Sequence, residues 1–146
     1  MKDYRDLILK DVLPIILRAS DVRNRIRDLV RRRCPKGRVV LIAIGKASAS
    51  MASGALEALS GEVEGGVVVI PEGIEAEGLR GHKLEIIRGG HPLPTLGSLR
   101  AGTAALEWAA TAGRGGAHVL VLVSGGASAL AESRSEERRV GNECAD

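Results

Sequence analysis

Apolar positions along this chain follow two alternating rhythms. Over residues 3–18, Leu9, Val12, Leu13 and Ile16 recur at spacings of three and four, which predicts one apolar face of a helix. Pro14 falls inside that helix and is placed to kink it. A second helix is expected next, capped by Ser20 or Asp21, with Val22, Ile26, Leu29 and Val30 on one face. Pro35-Lys36-Gly37 breaks the chain, and short apolar runs take over. Val39–Ile44 predicts a buried strand, followed by Gly45-Lys46-Ala47-Ser48 and a helix of small residues to about Leu59. Gly65–Ile70 predicts the next strand, closed by Pro71, and residues 71–83 an irregular connection. Leu84–Ile87 predicts a short strand leading into RGGHPLP, where glycine and proline forbid a regular helix. Ser98 is expected to cap a helix that runs to Ala112, with Leu99, Ala105, Leu106 and Ala109 inward. His118–Val123 predicts the last strand. This run, VLVLV from Val119, is short and rich in Val and Leu, which predicts burial on both faces.

Strands alternating with helices imply crossover connections. The expected fold class is therefore α/β, a mostly parallel, Rossmann-like sheet with helices on both faces. Composition sharpens this. Apolar residues make up 45% of the 146, yet Tyr4 and Trp108 are the only aromatics, so aliphatic side chains must build the core. Few aromatics also argue against a base-stacking surface, and the basic run Arg31-Arg32-Arg33 suits a solvated helix end, so no nucleic-acid partner is expected. Cys34 and Cys144 have neither CxxC nor metal-ligand spacing, which predicts no disulfide framework, no metal-ligand set and a cytoplasmic location. No apolar run approaches the ~20 residues of a membrane span, and the N-terminus lacks a signal-peptide core.

The end of the chain departs from the pattern. ESRSEERRVGNECAD, from Glu132, has no period, and RSEERRVGNEC resembles translated sequencing-adapter read-through; a solvated tail is the other reading. Residues 1–131 are therefore read as the folded unit and 132–146 as a non-native or disordered tail. Net charge is +3 over the whole sequence. The tail holds three arginines and five acidic residues, so the rest carries +5, a mild excess that suits an anionic ligand.

Three strands end in residues that can carry chemistry: Gly45-Lys46, Gly90-His91-Pro92 and Ser124-Gly125-Gly126. In an open parallel sheet these turns share the edge where ligands bind. Lys46 offers a point charge beside an anion, or simply reaches into water from a strand end. His91 can hydrogen-bond a substrate or accept a proton, or donate to a nearby carbonyl as a structural residue. His82 and His118 have no such setting. Two glycines after Ser124 allow a tight turn and close approach of backbone to ligand. A helix opening there would aim free N–H groups at phosphate. Ser124 and Ser128 can bind phosphate oxygens or cap that helix. Neither a Walker nor a GxGxxG fingerprint is present.

IAIGKASASMASGAL, then GGHPLPTLGS, then VLVLVSGGASAL, in this order and spacing, resemble the N-terminal domain of class II glycerate 2-kinases over about residues 5–131. The resemblance implies the truncated N-terminal part of a larger two-domain enzyme. That enzyme would phosphorylate D-glycerate to 2-phosphoglycerate with ATP and Mg²⁺. It assigns Lys46 the role of catalytic cation. Gly45, His91, Ser124, Gly125, Gly126 and Ser128 become the expected substrate- and nucleotide-binding residues. Two positions depart from the family pattern: Ala127 stands where a third glycine is common, and Thr95 where an acidic residue often follows HPxP. The second domain, a further active-site cation and the metal-binding groups would belong to sequence absent here, so this chain alone is expected to be inactive. The other reading is a sugar-phosphate- or nucleotide-binding α/β module without phosphoryl transfer.

Overall fold

The computed structural model of the protein describes residues 4–133. The chain opens with α1 (Tyr4–Leu7), a π-helical stretch (Ile8–Val12) and α2 (Leu13–Ala19). Pro14 accounts for the widened middle. Proline has no N–H to give, and its ring crowds the carbonyl one turn earlier. The backbone loosens just before it, and the Leu13 N–H donates to the Ile8 carbonyl five residues back. The apolar face expected on this helix forms but stays 39–55% exposed at Leu9, Val12, Leu13 and Ile16.

Helix α3 (Val22–Arg33) is capped by Asp21, whose carboxylate accepts the Asn24 N–H at 3.1 Å. That hydrogen bond, with a second from the Asn24 side chain, holds the Asp21 carboxyl below its ordinary pKa. Val22, Ile26 and Val30 pack inward at spacings of four, whereas Leu29 is half exposed. Arg31, Arg32 and Arg33 are exposed in the last turn, as expected of a solvated helix end.

Four strands follow: β1 (Val39–Ile44), β2 (Val63–Pro71), β3 (Leu84–Gly89) and β4 (His118–Val123). They form one sheet in the order β3-β2-β1-β4, with every neighbouring pair parallel. Helix α4 (Ser48–Leu59) joins β1 to β2 and packs on one face with Val39, Leu41, Ala43, Val68 and Ile70. Helix α5 (Leu96–Gly115) joins β3 to β4 and covers the other face over Val40, Ile42, Val67 and Val69. The β2–β3 connection carries only a 3₁₀ turn, Glu77–Leu79, and buried Leu79 fills part of the α4 face in place of a crossover helix.

Two expectations change. Helix α5 starts before Ser98, with Thr95 as its N-cap. Its buried side is Ser98, Ala101, Gly102, Ala104 and Ala112, while Leu106 is exposed. Strand β4 is not buried on both faces, because it is the edge strand of the described sheet. Val119, Val121 and Val123 pair in register with Val40, Ile42 and Ile44 but are 40%, 53% and 63% exposed, beyond the cover α5 provides.

Candidate functional site

The parallel sheet places the ends of β1, β3 and β4 on one edge, and the turns that leave them meet there. After β1 the chain runs to α4 on one face. After β4 it runs to α6 (Ala127–Leu130), whose Leu130 is fully buried on the opposite face. Adjacent strands whose connections diverge to opposite faces open a crevice at their carboxyl ends, the usual ligand position in such sheets.

The β1 and β4 turns are laced together. The Ser124 N–H donates to the Ile44 carbonyl at 3.0 Å, and the Lys46 N–H donates to the Gly125 carbonyl at 3.0 Å. Ser124 Oγ accepts the Ala47 N–H at 3.0 Å. The Ser124 hydroxyl therefore acts first as a strut between turns, with its own proton left to donate. Gly45 has φ +130°, and a Cβ there would collide with the side chain and carbonyl of Ser124, so only glycine lets the two turns approach. Fully buried Ser48 donates from Oγ to the Val69 carbonyl at 2.6 Å and pins the start of α4 to β2.

Gly126 is where the third turn arrives. It has φ +85°, and a Cβ on it would lie 2.9 Å from His91 Cδ2, 3.1 Å from His91 Nε2 and 3.4 Å from Lys46 Cε. The imidazole and the lysine stem thus flank one glycine. His91 precedes a cis peptide bond to Pro92. A Cβ on Gly125, by contrast, would meet nothing within 4 Å. No backbone carbonyl among the described residues accepts the Gly125 or Gly126 N–H. Lys46 and His91 are exposed and make no ion pair among the described residues. The crevice thus offers a lysine ammonium, an imidazole, two backbone donors and a hydroxyl around an open glycine, a set that suits an anion.

Gly45, Lys46, His91, Ser124, Gly125 and Gly126 are therefore brought together. Ser128 lies two residues past Gly126, exposed on α6. The expected helix after the glycines is only four residues long, so its dipole adds little, and the donors come from the turn itself. Ala127 does not have positive φ, so its methyl group imposes no backbone penalty at that position.

Ser98, expected as the N-cap of α5, takes a different role. It is fully buried at N3 of α5, and its Oγ accepts the N–H groups of Gly90 and Thr95, both at 3.1 Å. The signal was present as the T-x-x-S spacing of a capping box beginning at Thr95.

No three His, Cys, Asp or Glu side chains among the described residues come together as a metal site, and the three turns supply no carboxylate. These residues do not by themselves fit a divalent ion. Among the described residues no helix is long and apolar enough to cross a membrane.

A family model described as a domain of unknown function, DUF4147, matches residues 7–140. The chain belongs to this family, the N-terminal domain of glycerate kinases. It is 39% identical over 101 residues to the glycerate 2-kinase of Pyrococcus horikoshii, a match that covers 69% of this chain and 22% of that protein. The crystal structure of glycerate kinase from Thermotoga maritima matches with a TM-score of 0.67 at 29% identity, over 82% of this chain and 28% of that one. The chain thus spans less than a third of either relative. The DUF4147 match reaches beyond Glu132, the position at which the tail was expected to begin. Glu132 donates its N–H to the Ser98 carbonyl at 3.0 Å, and residues 134–146 lie outside the described part.

Proposed function

We propose that this domain forms one wall of the cleft in which a kinase transfers phosphate from ATP to D-glycerate, giving 2-phosphoglycerate. The observation that carries the proposal is the convergence of Lys46 and His91 on Gly126, beside the open Gly125. Lys46 supplies the cation that offsets charge on phosphate oxygens, and its turn is held in place by the Gly125 carbonyl. The Gly125 and Gly126 N–H groups and the Ser124 hydroxyl donate to the same anion. His91 stands over the glycine, where it can hydrogen-bond the acceptor or take its proton. ATP, when bound, supplies the phosphoryl group. The family's divalent ion finds no set of ligands in the described residues, so no role in holding it is given to them.

Because the chain spans less than a third of its relatives, we expect it to bind without turning over. Calorimetric titration with ATP and with glucose 6-phosphate tests the reading. ATP is expected to bind, at least tenfold more weakly to Lys46→Ala. A preference for the sugar phosphate would favour a binding module without phosphoryl transfer. Conversion of ATP and glycerate above the Lys46→Ala background would overturn the expected inactivity.

A further inference from the structure

The His91 loop leaves β3 at Gly90 and enters α5 at Thr95, and one side chain holds both ends. Ser98 is completely buried, and its Oγ accepts the N–H of Gly90 and of Thr95 at 3.1 Å each. An oxygen shared by two donors five positions apart ties the two ends of the span together, and the buried Gly90 N–H, if it loses that oxygen, has no water to turn to. The same residue also reaches the segment that follows the β4 turn. Its carbonyl accepts the Glu132 N–H at 3.0 Å, just past α6. Two glycines bring those elements within reach. A Cβ on Gly89 would collide with the Leu130 carbonyl, and one on Gly102 with the Glu132 carbonyl. Ser98 thus grips the His91 loop with its side chain and the segment following Ser124-Gly125-Gly126 with its backbone.

We propose that Ser98 is a positioning residue: it sets the His91 imidazole over Gly126. Its functional meaning rests on the reading of that crevice as the phosphate-binding wall, but the geometric proposal is read on ligand-free protein. The experiment compares wild type, Ser98→Ala and Ser98→Thr by NMR. In wild type, a through-space cross-peak is expected between His91 Hδ2 and the Gly126 α-protons, and the Gly90 amide is expected to exchange as slowly as the amides of β3. Ser98→Ala is expected to lose the cross-peak and to speed Gly90 exchange at least tenfold, with the β1 and β2 amide shifts unchanged. Ser98→Thr, which keeps the oxygen, is expected to restore both. Retention of the cross-peak in Ser98→Ala overturns the proposal, and so does a Thr variant that folds without restoring it. Should Ser98→Ala fail to fold, rapid Gly90 exchange in wild type overturns the proposal without the variant. Failure of wild type to bind ATP would count against the proposed function and leave these signals intact.

Discussion

A methyl group added at Gly126 would sit against the His91 ring, in a backbone conformation that L-residues resist, whereas one added at Gly125 would enter open space. The two neighbours therefore separate stability from binding. Gly126→Ala is expected to cost about 1–2 kcal/mol for the left-handed backbone alone, with the displaced imidazole adding to it. Gly125→Ala is expected to change stability by under about 0.5 kcal/mol. Its new methyl group occupies space that an anion would need, so it is expected to weaken ATP binding severalfold. Urea denaturation and calorimetry on both variants check this, and equal stability losses would refute it. The convergence of Gly45-Lys46, His91 and Ser124-Gly125-Gly126 was legible from their places at strand ends, because a parallel sheet sends all such turns to one edge. The strut role of the Ser124 hydroxyl was not. Nothing in the local sequence says that its oxygen meets the Ala47 N–H, 77 positions away.

Strand positions were legible because Val- and Ile-rich runs stop sharply at glycine or proline, as at Ile44-Gly45 and Pro71. The inward side of α5 was not, because small residues do the packing there. Ala101, Gly102 and Ala104 are buried where a hydrophobicity pattern favours Leu106. The short α6 has one fully buried side chain. Leu130 is completely buried, and its truncation to alanine is expected to cost about 2–5 kcal/mol, measurable by chemical denaturation. Helix α3 gives a pH prediction. The Asn24 N–H favours the Asp21 carboxylate, so the folded pKa lies below the unfolded one. The cap's stabilisation is then fully present above the unfolded value of about 3.9 and is lost as pH falls through the lowered folded value. Exchange of the Asn24 amide is expected to accelerate across that window. Asp21→Asn, which still caps but cannot ionise, is expected to flatten the dependence; an identical profile in the variant would contradict this.

At the scale of the whole molecule, the sheet is closed by α4 and α5 over its centre and left open at β4. Composition cannot tell a central strand from an edge, since both read as Val and Leu, and only the order β3-β2-β1-β4 puts VLVLV outermost. Val121 and Val123 continue the apolar rows of Ile42 and Ile44 past the reach of α5 and are more than half exposed. Beside them β4 has no strand partner on its outer side among the described residues. An apolar row next to free backbone donors and acceptors is a template for another strand. This chain is expected to self-associate as its concentration rises. Lysine at both valines places charge on that row while leaving the β1–β4 hydrogen bonds untouched, a device natural edge strands use. Val121→Lys/Val123→Lys is therefore expected to remain monodisperse by light scattering at concentrations where wild type aggregates, with circular dichroism unchanged. Equal aggregation of both proteins would place the sticky surface elsewhere, the leading alternative being the exposed apolar face of Leu9, Ile16 and their neighbours on the first helical segment, from α1 through the π-helical stretch to α2.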